Sequence, residues 1–427
     1  MKQLGFSEMV YPGATHTRFA HCIGTFHIGR QLVQIIGHIK GTAIEQSKAN
    51  VVLAAALLHD VGHGPFSHAF EAVGKRLSLR MATHEQMSDR LIREGEIAEA
   101  LGSLGSGFPN DTAAVIARSC PSNMYEAVVS SQFDADRLDY MQRDRLMTGT
   151  GHGAIDFTWL LANLEVGSIP RGVDDKPLDP VETFVLGSKA VAAAETYVLG
   201  LFQLYETVYF HKATRGVEKL FTELLLRVVG RVRDDQGDLT GLPNNHPLVN
   251  FAKDPDDNSL YLSLDDTTVW GALPLLVEGK DIIISDLAQR LRDRRLYRCF
   301  DVRTLVSQML STAGTDDAEA LSAQLSAKVV DRLQSWLLDN PTESHKLLID
   351  KASRNPYKEL QEAEGPLNQI RIREPLQNQL VDLRTRSAVI RAIKPLELWR
   401  IYIPRDDQHM HKVVDKAVSE VASERTN

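Results

Sequence analysis

The sequence predicts a mainly α protein with a smaller α+β part toward its C-terminus. Three observations predict it. Apolar residues recur on helical spacing through most of the first 235 residues. Aromatic residues make up only 7% of the chain. Short alternating stretches, the mark of strands, gather in the tail from His345 onward.

The chain has 427 residues, 43% of them apolar and 24% charged, which is globular composition and enough for one large or two to three ordinary domains. The expected division is a core over 1–235, a linker-like segment over 236–258 and a helical and α+β region over 259–427. The net charge of −8 argues against a general nucleic-acid or anionic-membrane binder. The basic run near Arg290–Arg298 could contact phosphates, but it reads more commonly as one solvated helix face. Cys22, Cys120 and Cys299 lie far apart and suggest neither a disulfide framework nor a thiolate zinc site. Such cysteine usage fits a reducing, cytoplasmic setting. The N-terminus lacks the apolar core of a signal peptide, and no run is long enough to span a membrane.

Taken in order, residues 1–20 read as a loop around Pro12–Gly13. A helix follows from about His21 to Ile39, with Ile23, Phe26, Ile28, Leu32, Ile35 and Ile36 on helical spacing. The run VVLAAALL (Val51–Leu58) is Ala-rich and favours helix. It ends on the pair His59–Asp60. Pro65 and Ser67 start a short helix that carries His68 and Glu71. Thr83 followed by Glu85 and Gln86 marks another helix start, with His84 in its first turn. Residues 101–112 read as a Gly/Ser loop, with helical pieces at Ala113–Arg118 and Tyr125–Val129. The charged stretch Phe133–Asp144 carries Leu138, Tyr140 and Met141 near helical spacing and stops at Gly149. Residues 166–180 suggest a hairpin. Long helices are expected over Val181–His211 and Arg215–Val232. The polar stretch Asp234–Asn258 reads as the linker. Short helices over 265–313, a helix over Asp317–Leu338, the alternating tail and a last helix over Gln408–Glu424 complete the chain.

The turn after Leu58 has no packing reason to hold a His and an Asp, since burying either costs free energy unless it is paired or bound to a metal. At a helix end both side chains can reach one ion above the terminus. His59 and Asp60 thus offer one nitrogen and one oxygen ligand. His21, at the start of an amphipathic helix, and Asp136, in an acidic cluster with apolar neighbours, are candidates to complete the set. Two His and two Asp suit Mn, Fe, Zn, Ni or Mg, with water in the open positions. Such an ion lowers the pKa of bound water. His68 and Glu71, spaced i, i+3, share a helix face.

Four segments in this order carry a resemblance: Arg18–His21 (R-F-x-H), Leu57–His68 (L-x-H-D-x-G-H-G-P-F-S-H), Thr83–Gln86 (T-H-E-Q) and Asp134–Asp144 (D-A-D-R-L-D-Y-x-x-R-D). The chain resembles the HD-domain phosphohydrolase superfamily, within it the deoxynucleoside triphosphate triphosphohydrolase branch. That branch includes bacterial dGTPases and the SAM-and-HD-domain dNTPase of animals. The likeness is strong from Gln3 to about Gly153 and continues through Leu204–Lys212.

The resemblance implies an HD-domain helical bundle and a divalent metal held by His21, His59, Asp60 and Asp136. It implies water attack on the α-phosphorus of a dNTP, releasing a deoxynucleoside and inorganic triphosphate. His68, oriented by Glu71, would protonate the leaving oxygen. His63 and His84 would lie near the α-phosphate and Arg18 near the phosphate chain. Tyr140 would pack on the sugar and disfavour a 2′-hydroxyl. Gln3 and Asp144 would bond the 3′-hydroxyl, with Leu4 close to the 2′ position. Tyr209 and Lys212 would contact the base end or the phosphates; alone, they read equally well as core and as a solvated charge. Relatives form homo-oligomers, and one is expected here. Two departures stand out. Leu201 occupies a position where relatives often carry an Arg for the phosphates. The chain also begins almost at its K-Q-L-G segment, where relatives usually carry an additional stretch. The competing functions are an HD phosphohydrolase acting on another phosphoester (a monophosphate, cyclic nucleotide or alarmone) and a non-catalytic nucleotide sensor.

Overall fold

Capping residues set the limits of the helices that matter most. Helix α1, Arg18–Lys40, begins where the Thr17 side chain accepts from Ala20 N and ends at Gly41, whose φ of 61° is the left-handed stop. Helix α2, Gln46–Leu58, is the expected Ala-rich run. Then come α3, His68–Arg76, and α4, His84–Arg93, capped by Thr83 as expected. Helices α5 and α6 cover Glu96–Gly102 and Phe108–Ala117. Helix α7, Ala135–Thr148, is capped by Asp134 and closed by Gly149. A short α8, Phe157–Ala162, leads into strands β1, Leu164–Val173, and β2, Lys176–Gly187. Helix α9, Val191–Leu204, runs on into a π-helical turn, Tyr205–Tyr209.

This computed structural model describes residues 1–80, 82–118, 121–173, 176–310, 318–357, 367, 369–376 and 378–424. The chain is mainly helical. It divides into two compact units, one made of 1–209 with 355–395 and the other of 210–354 with 396–427.

In the first unit, Ile28, Leu32 and Ile36 of α1 share one core with Val52 and Ala55 of α2, Leu138 and Met141 of α7, and Tyr197, Val198 and Leu204 of α9. The β1–β2 hairpin is antiparallel, pairing Leu164 with Leu186 and Ile169 with Val181. The strand Arg371–Arg373 adds parallel to β2, and Leu380–Asp382 closes the sheet. In the second unit, the long helix Lys212–Arg233 is followed by shorter helices. Its sheet places Leu396–Ile403 between Arg298–Asp301 and Leu348–Arg354, both antiparallel to it. Among the described residues, no helix is long and apolar enough to cross a membrane.

Several expectations need correction. The 1–20 loop contains a 3-10 helix, Gly5–Met9. The 101–112 loop is helical from Phe108, with Pro109 in the first turn, where its missing N–H costs nothing. The expected helix from Val181 starts only at Val191. Val181, Phe184 and Val185 are buried as strand residues of a hairpin longer than expected. The linker-like segment 236–258 is packed structure. Thr240, Leu248, Phe251 and Ala252 are fully buried, and Pro247–Lys253 is helical. Its polar Asn, Asp and Pro residues serve as caps and turns around those apolar anchors. The alternating tail is not one subdomain, because Arg371–Arg373 pairs with β2 while Leu348–Arg354 and Leu396–Ile403 pair with each other. The helix start expected at Asp317 lies outside the described residues, and the helix is seen from Ala318 to Asp339. Cys120 also lies outside them.

The turn after α2 is pressed onto α4. Gly62 N donates to Ser88 Oγ at 2.9 Å, and Ser88 Oγ donates to the His59 carbonyl at 2.9 Å. A Cβ on Gly62 would fall against Ser88 N and the His84 carbonyl, both backbone atoms that cannot swing aside. Gly62→Ala is expected to destabilise the first unit by about 1–3 kcal/mol. Denaturant unfolding checks this, and an unchanged midpoint contradicts it.

Candidate active site

Three helix ends deliver the metal-type ligands. Helix α2 stops at Leu58, so His59 and Asp60 leave its C-terminus together. His21 sits in the first turn of α1 and Asp136 in the first turn of α7. His21 Nε2 lies 3.0 Å from Asp136 Oδ1, and His59 Nε2 lies 3.5 Å from the same oxygen. Asp60 joins them, with Oδ1 3.4 Å from His59 Nε2 and Oδ2 3.8 Å from His21 Nε2. All four expected ligands therefore converge.

A second layer holds them. His21 Nδ1 is 2.7 Å from Asp139 Oδ2, and Arg143 grips Asp139 through both of its oxygens, at 2.7 and 2.9 Å. Gly24 leaves room for that pair, because a Cβ there would overlap the Asp139 carboxylate. His59 Nδ1 lies 3.0 Å from the Ala56 carbonyl, which orients its ring. Arg18 is paired with Asp60 and also donates to Ser67 Oγ at 2.8 Å. Burial opposes the charge on Asp60, but Arg18 and His59 overcome it and hold its pKa well below the ordinary carboxylate range. Burial likewise opposes charge on His21, yet its bonds to Asp136 and Asp139 raise its pKa to about 10.

The site passes a test of fit for a metal. His59 Nε2 is buried and has no hydrogen-bond partner among the described residues, although it faces two carboxylates. His21, His59 and Asp136 place their donor atoms close enough to share one ion. Two nitrogens and two oxygens form a donor set for a first-row transition ion or Mg.

A second cluster adjoins the first. Phe66 and Ser67 both take positive φ, 55° and 60°, a strained conformation for residues with a Cβ. Phe66 is held there by stacking on Phe6 at 4.2 Å. The strained turn points Ser67 Oγ at Arg18 and starts α3 at His68. Glu71 then gathers three histidines. Its Oε1 lies 2.5 Å from His84 Nδ1, 3.3 Å from His68 Nδ1 and 3.8 Å from His63 Nδ1. The expected His68–Glu71 pair is thus part of a larger group, and His84 is the nearer partner. Burial opposes the Glu71 charge, but bonds to His68 and His84 push its pKa far down. His63, stacked on His84 at 3.9 Å, is pushed down to about 3 by burial and by Arg18. It is therefore neutral.

Gln3, Leu4, Tyr140, Asp144 and Tyr209 all belong to the first unit. Tyr209 Oη donates to Asp144 Oδ2 at 2.8 Å, and Tyr140 contacts the Tyr209 ring edge-on at 6.1 Å. Leu4 packs on the apolar core of that unit, and Gln3 Oε1 is buried without a hydrogen-bond partner among the described residues. Lys212 belongs to the second unit, where it opens a helix and its carbonyl accepts from Tyr402 Oη. Leu201 is buried in the core. Sequence reasoning missed Asp139, Ser67 and His16. Asp139 had a signal, since it is one helical turn from Asp136. Ser67 and His16 lie in turns with no periodicity to expose them.

Residues 18–144, from Arg18 at the start of α1 to Asp144 in α7, match the HD domain family. The chain thus carries an HD domain over residues 18–144 and is similar to HD-domain phosphohydrolases. It is 29% identical to the Bacillus subtilis protein YwfO over 95% of this chain and 85% of that one. It is 25% identical to the deoxynucleoside triphosphate triphosphohydrolase SAMHD1 of Danio rerio, over 70% of this chain. The match spans about half the length of that relative, 50%. A crystal structure of a phosphohydrolase from Bacteroides thetaiotaomicron shares the fold with a TM-score of 0.69 at 24% identity, covering 95% of this chain and 92% of that one.

Two predictions follow from the second layer. Asp139→Asn leaves His21 without its carboxylate and is expected to weaken metal binding roughly 10–100-fold, read by chelator competition. In the metal-free chain, the raised pKa of His21 keeps it protonated at neutral pH. A metal must displace that proton, so apparent affinity should rise as pH increases from 6 toward 9. Calorimetry in buffers of different ionisation enthalpy checks the proton release; pH-independent binding contradicts it.

Proposed function

We propose that this chain hydrolyses deoxynucleoside triphosphates to deoxynucleoside and inorganic triphosphate. One observation carries the reading. His63 links the two clusters, with Nε2 3.4 Å from Asp60 Oδ1 and Nδ1 3.8 Å from Glu71 Oε1. A metal-holding set and a proton-donating set thus stand one imidazole apart, the separation a phosphoryl group needs to touch both.

A divalent ion held by His21, His59, Asp60 and Asp136 would supply Lewis-acid polarisation and an acidified water. The chain's own groups do the rest. Arg18 fixes Asp60 and keeps it ionised. Neutral His63 can donate to a phosphate oxygen without carrying charge. The P–O5′ bond breaks as the new P–O bond forms, and the leaving 5′ oxygen needs a proton. His68, with its side chain 68% exposed, is free to reach that oxygen and to be reprotonated by solvent. Glu71 remains a carboxylate and orients His68 and His84 toward the cleft. Tyr140, Asp144, Gln3 and Leu4 form the sugar end, and Tyr209 the wall toward the base.

Leu201 favours a second reading, another phosphoester with fewer phosphates, since an apolar core residue grips none. A non-catalytic sensor would have no use for the His68–Glu71–His84 group. A reducing cytoplasm and self-association complete the proposal. Both Cys22 and Cys299 are free thiols.

Metal-loaded protein given dNTPs, rNTPs and monophosphates separately decides among these. Inorganic triphosphate from dNTPs alone supports the proposal, and phosphate from monophosphates without triphosphate supports the second reading. His68→Gln is expected to lower kcat about 10²–10⁴-fold with little change in metal content. Asp136→Ala is expected to abolish both activity and tight metal binding.

A further inference from the structure

We infer that His16 is a positioning residue for sugar recognition: it fixes Asp144 so that the carboxylate can accept a hydrogen bond from the 3′-hydroxyl. The inference rests on the proposed function and deepens it. His16 lies outside the matched HD domain, in the segment before α1.

The geometry is that of a carboxylate clamped from two sides. His16 Nε2 lies 2.7 Å from Asp144 Oδ1, and Tyr209 Oη donates to Oδ2 at 2.8 Å. The His16 and Asp144 side chains are only 4% and 2% exposed. Burial and the Asp144 charge hold the Tyr209 phenol well above its ordinary pKa, so it remains a donor. Each carboxylate oxygen carries two acceptor positions. One on each is taken, and one on each remains for a ligand. With His16 and Tyr209 in place, the plane of the carboxylate cannot turn.

Both clamps are themselves anchored. His16 accepts from Gln3 N through its backbone carbonyl at 2.9 Å, and Lys2 pairs with Thr17 in a β-bridge. Tyr11 Oη, from the same N-terminal segment, donates to the Thr207 carbonyl inside the π-helical turn that carries Tyr209. Such turns re-aim a side chain that a regular helix would point elsewhere. Two polar atoms here, His16 Nδ1 and Gln3 Oε1, are buried without hydrogen-bond partners among the described residues. The N-terminal segment therefore does more than cover the core. It orients the group that reads the sugar.

The test compares kcat/KM for the best dNTP and its 2′,3′-dideoxy counterpart. The wild-type chain is expected to prefer the deoxy substrate roughly ten- to hundredfold, the worth of a hydrogen bond to a charged group. His16→Phe should collapse that preference toward unity, mainly through KM for the deoxy substrate, with the dideoxy rate little changed. His16→Gln, whose amide can still donate to Asp144, should retain most of it. His16→Asn stays polar but falls short of Asp144, so it carries the test if the Phe variant does not fold. An unchanged preference in His16→Phe or His16→Asn, alongside a collapse in Asp144→Asn, overturns the role of His16 alone. A wild-type chain that hydrolyses dNTPs without preferring the deoxy sugar overturns the 3′-hydroxyl reading and the inference with it. No dNTP turnover overturns the proposed function itself.

Discussion

The Asp136 carboxylate, approached by His21 at 3.0 Å and His59 at 3.5 Å, sets the constraint on which the first unit depends. Asp60, itself buried, stands beside it, and the two carboxylates repel. Everything nearby answers that cost with positive charge or donors. Arg18 takes Asp60, and His21 and His59 sit between the two acids. Asp139 and Arg143 in turn steady His21. Helix ends suit such a cluster. Three helices can aim short side chains at one point while their apolar faces stay in a common core.

The second cluster applies the same logic to one carboxylate. Glu71 faces three imidazoles; burial opposes its charge, but its bonds to His68 and His84 outweigh that and lower its pKa. His63 belongs to both clusters and is neutral, which insulates the acids of one from the carboxylate of the other. The local strain at Phe66 and Ser67 is part of this arrangement. A relaxed turn there would aim Ser67 away from Arg18 and start α3 at a different angle.

Much of the site was legible in the sequence because its members lie near one another along the chain. His59, Asp60, His63, His68 and Glu71 fall within two turns and one helix. Their residue types have no packing role, so they stand out. What was illegible depends on distant pairing or on turns. The parallel pairing of Ile372 with Leu186 joins segments far apart in sequence, and no local pattern announces it. That pairing draws residues 355–395 into the first unit. The stretch 236–258 misled because its few apolar residues, Leu248 and Phe251 among them, are scattered among caps. His16 and Ser67 act through single hydrogen bonds from irregular backbone, and period-based reading has no purchase there.

Among the described residues, two groups of side chains are arranged so that either could hold an ion, one of His21, His59 and Asp136 and the other of His63, His68, Glu71 and His84. We assign the metal to the first, completed by Asp60, and proton transfer to the second. Anomalous diffraction from crystals soaked in Mn separates them. One strong peak is expected among His21, His59, Asp60 and Asp136, lost in Asp136→Ala and kept in His84→Ala. A peak confined to the Glu71 cluster, lost in His84→Ala instead, would contradict it.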